Sequence, residues 1–265
     1  MRRLRILVLV CWVSVMAAAA QNSLRLRLDS LLQDRMFETS QVGLMVYDLT
    51  SDSLLYAFNP RQMMRPASTL KLVTAITALD RLGADYMFST RVCHAGSVVN
   101  GRMTGTLYCV GGFDPALTDD DMKSLAARVY ELGVDTLGCR IVTDLSMKDS
   151  QDYGEGWCWD DDNPRLTPLS VGRKDIFVER LLQELEAMGV VLEVAAVETG
   201  RCPAEARVVC LLSHHIGQVL SRMMKKSDNF YAEAMFYQIA ASSGRRMCKA
   251  SDAAAVIGQF LSRIG

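Results

Sequence analysis

The sequence has few of the residues from which metal centres are built. It contains three histidines among 265 residues, and only His94 directly adjoins a cysteine. No two of the eight cysteines form a C-x-x-C pair. Structural zinc sites take four cysteine or histidine ligands at short, characteristic spacings, so we expect no metal and no other cofactor. The acidic run 160–162 leaves two interpretations open, a cation site or a solvated loop.

The sequence also lacks an excess of basic residues and long apolar runs. It has 29 lysines and arginines against 30 aspartates and glutamates, with a formal net charge of −1. This balance gives no indication of a nucleic-acid partner. The apolar run at 6–16 is too short for a typical membrane span, and no later run is long enough. We therefore expect no transmembrane segment.

The first twenty residues have the organisation of a secretory signal peptide. Three arginines precede the apolar run, and the four alanines at 17–20 follow it. A basic start, a short apolar stretch and small residues before the cleavage site are typical of such signals. We expect residues 1–20 to be removed and the protein to be secreted, to the periplasm or cell envelope.

Ser68 and Lys71 lie three residues apart at the start of a predicted helix. Apolar residues at helical spacing follow them and predict a buried face, and a glycine follows as a stop signal: Leu72, Ala75, Ile76, Leu79 and Gly83. Because side chains at i and i+3 are neighbours on a helix, the lysine amine should lie beside the serine hydroxyl. A lysine whose pKa is lowered by burial can activate such a hydroxyl as a nucleophile. Taken alone, the pair is more typical of a helix N-cap followed by a solvated lysine.

A second polar cluster, Ser227-Asp228-Asn229, lies between two predicted helices. Its serine can relay a proton and its asparagine can hold a substrate amide, although all three residue types also favour helix N-caps. S-x-x-K together with S-D-N is the signature of serine β-lactamases and penicillin-binding proteins. The pair therefore favours a nucleophilic serine hydrolase over two unrelated caps.

The sequence around both motifs resembles the D-alanyl-D-alanine carboxypeptidase/endopeptidase family, the class C low-molecular-mass penicillin-binding proteins. The resemblance extends over roughly residues 24–265 and includes these segments: 66–71, 112–115, Asp144, 156–161 and 225–233. It implies an α/β (α+β) fold of the penicillin-binding-protein/β-lactamase type. The catalytic domain would be split between residues 21–84 and 213–265, with a β-rich domain, residues 85–212, inserted between them.

The resemblance also implies a role for each motif residue. Ser68 would attack the carbonyl group of the penultimate D-alanine of a peptidoglycan stem peptide, with Lys71 as the general base. Ser227 would pass the proton to the leaving amine, and Asn229 would bind the substrate amide. Asp228 receives no role. Peptidoglycan peptides would be the substrates and β-lactams the covalent inhibitors.

The family's third motif, Lys-Thr-Gly or His-Thr-Gly, does not occur after Ser227. The similar Glu198-Thr199-Gly200 precedes Ser227 and lacks the cation. In the family the third motif supplies an oxyanion N–H group, and the loss of one such donor typically costs about 10²–10³ in rate. We therefore expect a catalytic sheet without its C-terminal strands, as in a truncated gene product. A serine β-lactamase and a non-catalytic wall-binding fragment remain as alternatives.

Overall fold

The computed structural model describes residues 22–158 and 163–264. The predicted signal peptide and the acidic run 160–162 lie outside the described residues. The chain divides into two compact units between Pro66 and Ala67, and each unit is described by itself. No helix within the described ranges has the length and hydropathy needed to cross a membrane. Within the same ranges, no cluster of three or more histidine, cysteine or acidic side chains is arranged to hold a metal.

The described part of the first unit, residues 22–66, contains one α-helix and a β-hairpin. Helix α1 covers residues 22–32 and is followed by a short 3₁₀ turn, Arg35–Phe37. Strands β1 (Leu44–Asp48) and β2 (Ser53–Phe58) pair antiparallel, as the alternation of strand-forming residues around a Thr-Ser-Asp turn predicts.

The second unit is built on a seven-stranded mixed sheet. Its strands are β3 (Met87–Val99), β4 (Arg102–Val110), β5 (Thr136–Leu137), β6 (Arg140–Asp144), β7 (Val191–Leu192), β8 (Val197–Thr199) and β9 (Arg207–His215). Strands β9, β3 and β4 are antiparallel neighbours, and the short strands continue the sheet in parallel beyond β4. Asn100 and Gly101 join β3 to β4 with positive φ angles of 45° and 77°. This is the tight hairpin that an Asn-Gly pair predicts.

Six helices accompany this sheet: α2 (Leu70–Leu82), α3 (Asp119–Tyr130), α4 (Phe177–Ala187), α5 (Ile216–Lys226), α6 (Asn229–Ala241) and α7 (Ala250–Ile264). Helices α3 and α4 pack on the sheet around a core that includes Leu107, Leu125 and Leu181. Helices α2, α5, α6 and α7 enclose a second core around Phe230 and Met235. The predicted division into a split catalytic domain and an insertion stays a prediction.

The order of elements brings two helices to one end of the sheet. Helix α2 ends shortly before β3, and β9 runs directly into α5. Because Met87 of β3 pairs with His215 of β9, α2 and α5 both connect to this pair of strands at the same end. Segments far apart in sequence therefore meet there.

One parallel stretch of the sheet is interrupted. The apolar pattern of 137–143 predicts one strand, and the structure divides it into β5 and β6 around Gly138. Both strands keep the same register against β4, and the interruption lies opposite Thr104 and Gly105. At this point Gly105 pairs with Gly96 of β3, and a Cβ atom on either glycine would overlap the backbone of the opposite strand.

The prediction of a buried apolar face on α2 was wrong in part. Its buried residues are the small or polar ones, Lys71, Thr74, Ala75, Thr77 and Ala78. Leu72, Ile76 and Leu79 are 41–52% exposed. Small side chains let α2 lie close to α6, and the bulkier side chains are turned away from this contact. The buried side of α2 is therefore the side with small residues that packs against α6, and not the most hydrophobic side.

Candidate active site

Ser68 lies in a 3₁₀ turn, Ala67–Thr69, that leads directly into α2. Ala67 has a φ angle of 43°, a left-handed conformation that is uncommon for a residue with a side chain. The turn leaves Ser68 exposed, while Lys71 in the first turn of α2 is only 9% exposed. The predicted position of Ser68 at the start of the helix is therefore confirmed.

The Ser227-Asp228-Asn229 cluster forms the junction between α5 and α6. Ser227 follows the last residue of α5 with φ 53° and ψ 35°, which is also a left-handed conformation. Asp228 is the N-cap of α6, and its side chain accepts hydrogen bonds from the backbone N–H groups of Phe230 and Tyr231. Asn229 is the first residue of α6. The junction reverses the chain so that the Ser227 and Asn229 side chains reach α2.

The two motifs meet around the Lys71 amine. Lys71 Nζ donates to Asn229 Oδ1 at 2.6 Å, and it lies 3.3 Å from Ser68 Oγ and 3.4 Å from Ser227 Oγ. Ser227 Oγ donates to Ser68 Oγ at 2.9 Å, across 159 residues of sequence. All four predicted site residues are thus brought together. The lysine is buried beneath exposed hydroxyl and amide groups, so a reactant can approach the serines from solvent.

The environment of Lys71 makes its ammonium group easier to deprotonate than that of a lysine in water. Burial lowers the pKa of the Lys71 amine, and the carboxylates of Asp228 and Glu233 act in the opposite direction. A neutral amine can accept a proton from a hydroxyl group within hydrogen-bond reach. The arrangement is therefore chemically suited to activate Ser68.

Asp228, which received no role from the sequence, holds the junction together. Besides capping α6, its Oδ2 atom accepts a hydrogen bond from Arg222 Nε at 2.9 Å. Arg173 lies within 3.9 Å of the same oxygen. The Asp228 side chain is nearly buried, so this carboxylate fixes the start of α6 from two directions. The N-cap preference of aspartate was the only signal of this role in the sequence.

Glu233 is a second residue that sequence reasoning missed. It lies one helical turn after Asn229 on α6, and burial raises the pKa of its carboxyl group to about 7. Lys148, which is 2% exposed, and Lys71 both act to lower that pKa. The i, i+4 spacing from Asn229 was the available signal, because it places both side chains on one face of the helix.

The adjacent histidines His214 and His215 lie at the end of β9. His215 caps α5 by accepting a hydrogen bond from the Gly217 backbone N–H. His214 Nδ1 lies 2.7 Å from an oxygen of the buried Asp114. Burial raises the pKa of Asp114, and His214 opposes this effect. His214 therefore joins β9 to the loop after β4 and has no contact with Ser68.

Comparisons with known proteins agree with this architecture. The chain is 33% identical to the D-alanyl-D-alanine carboxypeptidase of Actinomadura sp. (strain R39) over 166 residues, which are 61% of this chain and 31% of that protein. It is 31% identical to D-alanyl-D-alanine carboxypeptidase DacB of Haemophilus influenzae over 130 residues, 49% of this chain and 27% of that protein. These matches span between a quarter and a third of the length of each relative.

A crystal structure of penicillin-binding protein 4 (dacB) from Haemophilus influenzae has a similar fold. The TM-score is 0.76 at 19% sequence identity, and the match covers 86% of this chain and 68% of the other. A second structure of that protein, in complex with a β-lactam, matches with a TM-score of 0.68. The predicted α/β fold of the penicillin-binding-protein type is thereby confirmed.

The model of the D-Ala-D-Ala carboxypeptidase 3 (S13) family matches residues 24–172 and 163–265. These two ranges overlap and together include both motifs and the elements that carry them. This chain belongs to the D-Ala-D-Ala carboxypeptidase 3 (S13) family.

Proposed function

We propose that this protein is a serine-type D-Ala-D-Ala carboxypeptidase, with DD-endopeptidase activity on cross-linked peptides, that acts through an acyl-enzyme on Ser68. One observation carries the proposal: the buried Lys71 amine lies within reach of Ser68, Ser227 and Asn229 at the same time. Family membership supports the class of substrate, a peptide that ends in D-alanyl-D-alanine.

The acylation step follows from these contacts. Ser68 Oγ attacks the carbonyl carbon of the penultimate D-alanine while its proton passes to the neutral Lys71 amine. The bond between this carbon and the leaving nitrogen then breaks. Ser227 contacts both Ser68 and Lys71, so its hydroxyl can pass the proton on to the leaving amine. The acyl group stays on Ser68 as an ester.

Deacylation and substrate positioning use the same groups. A water molecule attacks the ester and transfers its proton to Lys71, which restores Ser68 and releases the shortened peptide. Asn229 accepts a hydrogen bond from Lys71 through Oδ1, and this orientation leaves its NH₂ group to donate to a substrate carbonyl group. Asn229 would thus orient the substrate and the lysine together.

The wider setting of the protein follows from the same proposal. Peptidoglycan stem peptides are the substrates, and β-lactams, which imitate the D-alanyl-D-alanine end, act as covalent inhibitors of Ser68. Residues 1–20 direct the chain to the periplasm or cell envelope. Residues 21–84 and 213–265 form the catalytic domain, and residues 85–212 are inserted into it.

The proposal is tested by the intact mass of the purified protein after incubation with benzylpenicillin. We expect a mass increase of one penicillin molecule in the wild type and in Ser221→Ala, which removes an exposed serine of α5 as a matched control. Ser68→Ala should show no increase. A folded wild-type protein that remains unmodified would contradict the proposal.

A second experiment separates the alternatives. The protein is incubated with a pentapeptide that ends in D-alanyl-D-alanine and, separately, with a chromogenic β-lactam. Release of D-alanine with slow, stoichiometric β-lactam consumption supports the carboxypeptidase. Rapid catalytic hydrolysis of the β-lactam identifies a β-lactamase, and peptidoglycan binding without either reaction identifies a non-catalytic fragment.

A further inference from the structure

One side of helix α6 connects the candidate active site to a buried lysine elsewhere in the second unit. Asn229, Glu233 and Tyr237 are spaced by four residues and therefore share one face of the helix. Asn229 contacts Lys71 Nζ, and the ring of Tyr237 lies 4.9 Å from Lys148 Nζ. Glu233 lies midway between Asn229 and Tyr237 in α6. Its position is about 6 Å along the helix axis from each of these two residues.

The Lys148 ammonium group is held firmly at its end of this face. It is 2% exposed and donates to the backbone carbonyl groups of Asp149 and Gln151 at 2.8 and 2.6 Å. Asp149 Oδ1 lies 3.3 Å from the same nitrogen. These contacts hold the Lys148 amine next to α6. Burial lowers the pKa of this amine, and the carboxyl groups of Asp149, Asp152 and Glu233 oppose that effect.

The loop before Trp157 lies against Glu233, which is half-buried. A Cβ atom on Gly154 would lie 2.6 Å from Glu233 Oε1 and 2.7 Å from the indole nitrogen of Trp157. The glycine therefore leaves just enough space for the carboxyl group beside the loop. This position explains why Glu233 loses water, and burial raises the pKa of its carboxyl group to about 7.

We propose that Glu233 is a positioning residue for Lys71: its carboxyl group, beside Gly154 and on the face of α6 that also carries Asn229, governs how readily Lys71 gives up its proton. When Glu233 is ionised, its negative charge stabilises the protonated Lys71 and opposes formation of the free amine. When Glu233 is neutral, this stabilisation is absent. The link to catalysis rests on the proposed role of Lys71 as the base for Ser68.

The charges that face these groups come from several elements. Among the described residues, three charged groups affect the pKa of Glu233. Lys148 and Lys71 lower this pKa and so favour the ionised carboxylate, whereas Glu155 raises it. Asp228 and Glu233 act on Lys71, and both favour its protonated form. Removal of the Glu233 charge should therefore lower the pKa of Lys71.

The direct test follows Lys71 itself. The protein is labelled with ¹³C at the lysine ε-carbons and titrated by NMR, and the Lys71 signal is assigned by its loss in Lys71→Met. Glu233→Gln, which keeps the size of the side chain, should lower the Lys71 midpoint, because an opposite charge favours the charged form of the amine. Glu233→Asp should keep it close to the wild-type value, and Glu186→Gln, an exposed glutamate of α4, should leave it unchanged. Equal midpoints in Glu233→Gln and the wild type would overturn the inference, whether or not Ser68 reacts.

A kinetic measurement then tests the link to the reaction. The rate of Ser68 acylation by a chromogenic β-lactam is measured from pH 5 to 10 in the same variants. In Glu233→Gln the acidic limb of the profile should move to lower pH by the same amount as the Lys71 midpoint. A wild-type protein without acylation at any pH would refute the proposed function, and the NMR result would still decide the role of Glu233. Acylation with coincident profiles would refute the role of Glu233 alone.

Discussion

Asp228 offers a test of how the S-D-N junction is stabilised. Its carboxylate caps α6 through the N–H groups of Phe230 and Tyr231, and it pairs with Arg222 at 2.9 Å. Substitution by alanine removes both interactions, whereas asparagine keeps an oxygen for the cap and removes only the charge. The two variants therefore separate the cap from the ion pair.

The magnitudes follow from the two environments. Loss of an N-cap typically costs about 1 kcal/mol. A hydrogen bond to a charged group contributes roughly 1.5–3 kcal/mol, and the lower part of this range applies because the Arg222 side chain is 48% exposed. We expect Asp228→Ala to lower the free energy of unfolding by about 2–3 kcal/mol and Asp228→Asn by about 1–2 kcal/mol.

Thermal and urea unfolding, followed by circular dichroism, measure these differences. At about 2–4 °C per kcal/mol for a unit of this size, Asp228→Ala should lower the Tm by roughly 4–12 °C. Asp120→Ala, which removes an ion pair on α3 whose partners are 57% and 88% exposed, is the matched control and should change stability by less than about 1 kcal/mol. If Asp228→Ala were no less stable than this control, the junction would not depend on Asp228.

Three further predictions concern the site and its supports. The rate of Ser68 acylation should rise with pH and level off below pH 10.5, because burial lowers the pKa of Lys71 from that value. Stopped-flow measurements that place the midpoint of the pH profile at or above 10.5 would contradict this. Ser227→Ala should slow acylation by about 10²–10⁴ and still yield the Ser68 adduct by mass spectrometry; an unchanged rate would exclude Ser227 from the proton path. Gly112→Ala should destabilise the protein by roughly 1–3 kcal/mol in urea unfolding, because a Cβ atom there would overlap the Ser89 carbonyl oxygen. Gly258→Ala in α7, with open space around it, should instead stabilise it by about 0.5–1 kcal/mol, and equal effects at both positions would refute this reasoning.

The features that the sequence predicted well are local ones. The turn at Asn100-Gly101 and the start of α2 near Ser68 depend on residues within a few positions, and the structure has both. The combination of Ser68 and Lys71 with Ser227 and Asn229 was predicted from a family signature. No periodicity in the chain indicates that residues separated by 159 positions meet at 2.9 Å.

The features that sequence analysis missed depend on tertiary packing. The division between β5 and β6 lies opposite Thr104 and Gly105 of β4, where Gly105 approaches Gly96 closely. This hairpin lies far from Gly138 in sequence. The burial of Glu233 depends on a loop that lies against it at Gly154. A glutamate on a predicted helix is ordinarily solvated, and only the fold reveals which glutamate is half-buried.

Helix α6 links the stability of the fold to the chemistry of the site. Asn229 and Glu233 are carried by the same helix, and Asp228 fixes the turn from which that helix begins. Because side chains on one helical face move together, a displaced first turn would shift the contact with Lys71 and the charge that acts on it at the same time. The core around Phe230 and Met235 holds the remainder of α6 in place, so loss of the cap should loosen the first turn before the helix as a whole. A variant at Asp228 can therefore remain folded and still change the pH dependence of Ser68, through the position of Asn229 and through the loss of a carboxylate that acts directly on Lys71.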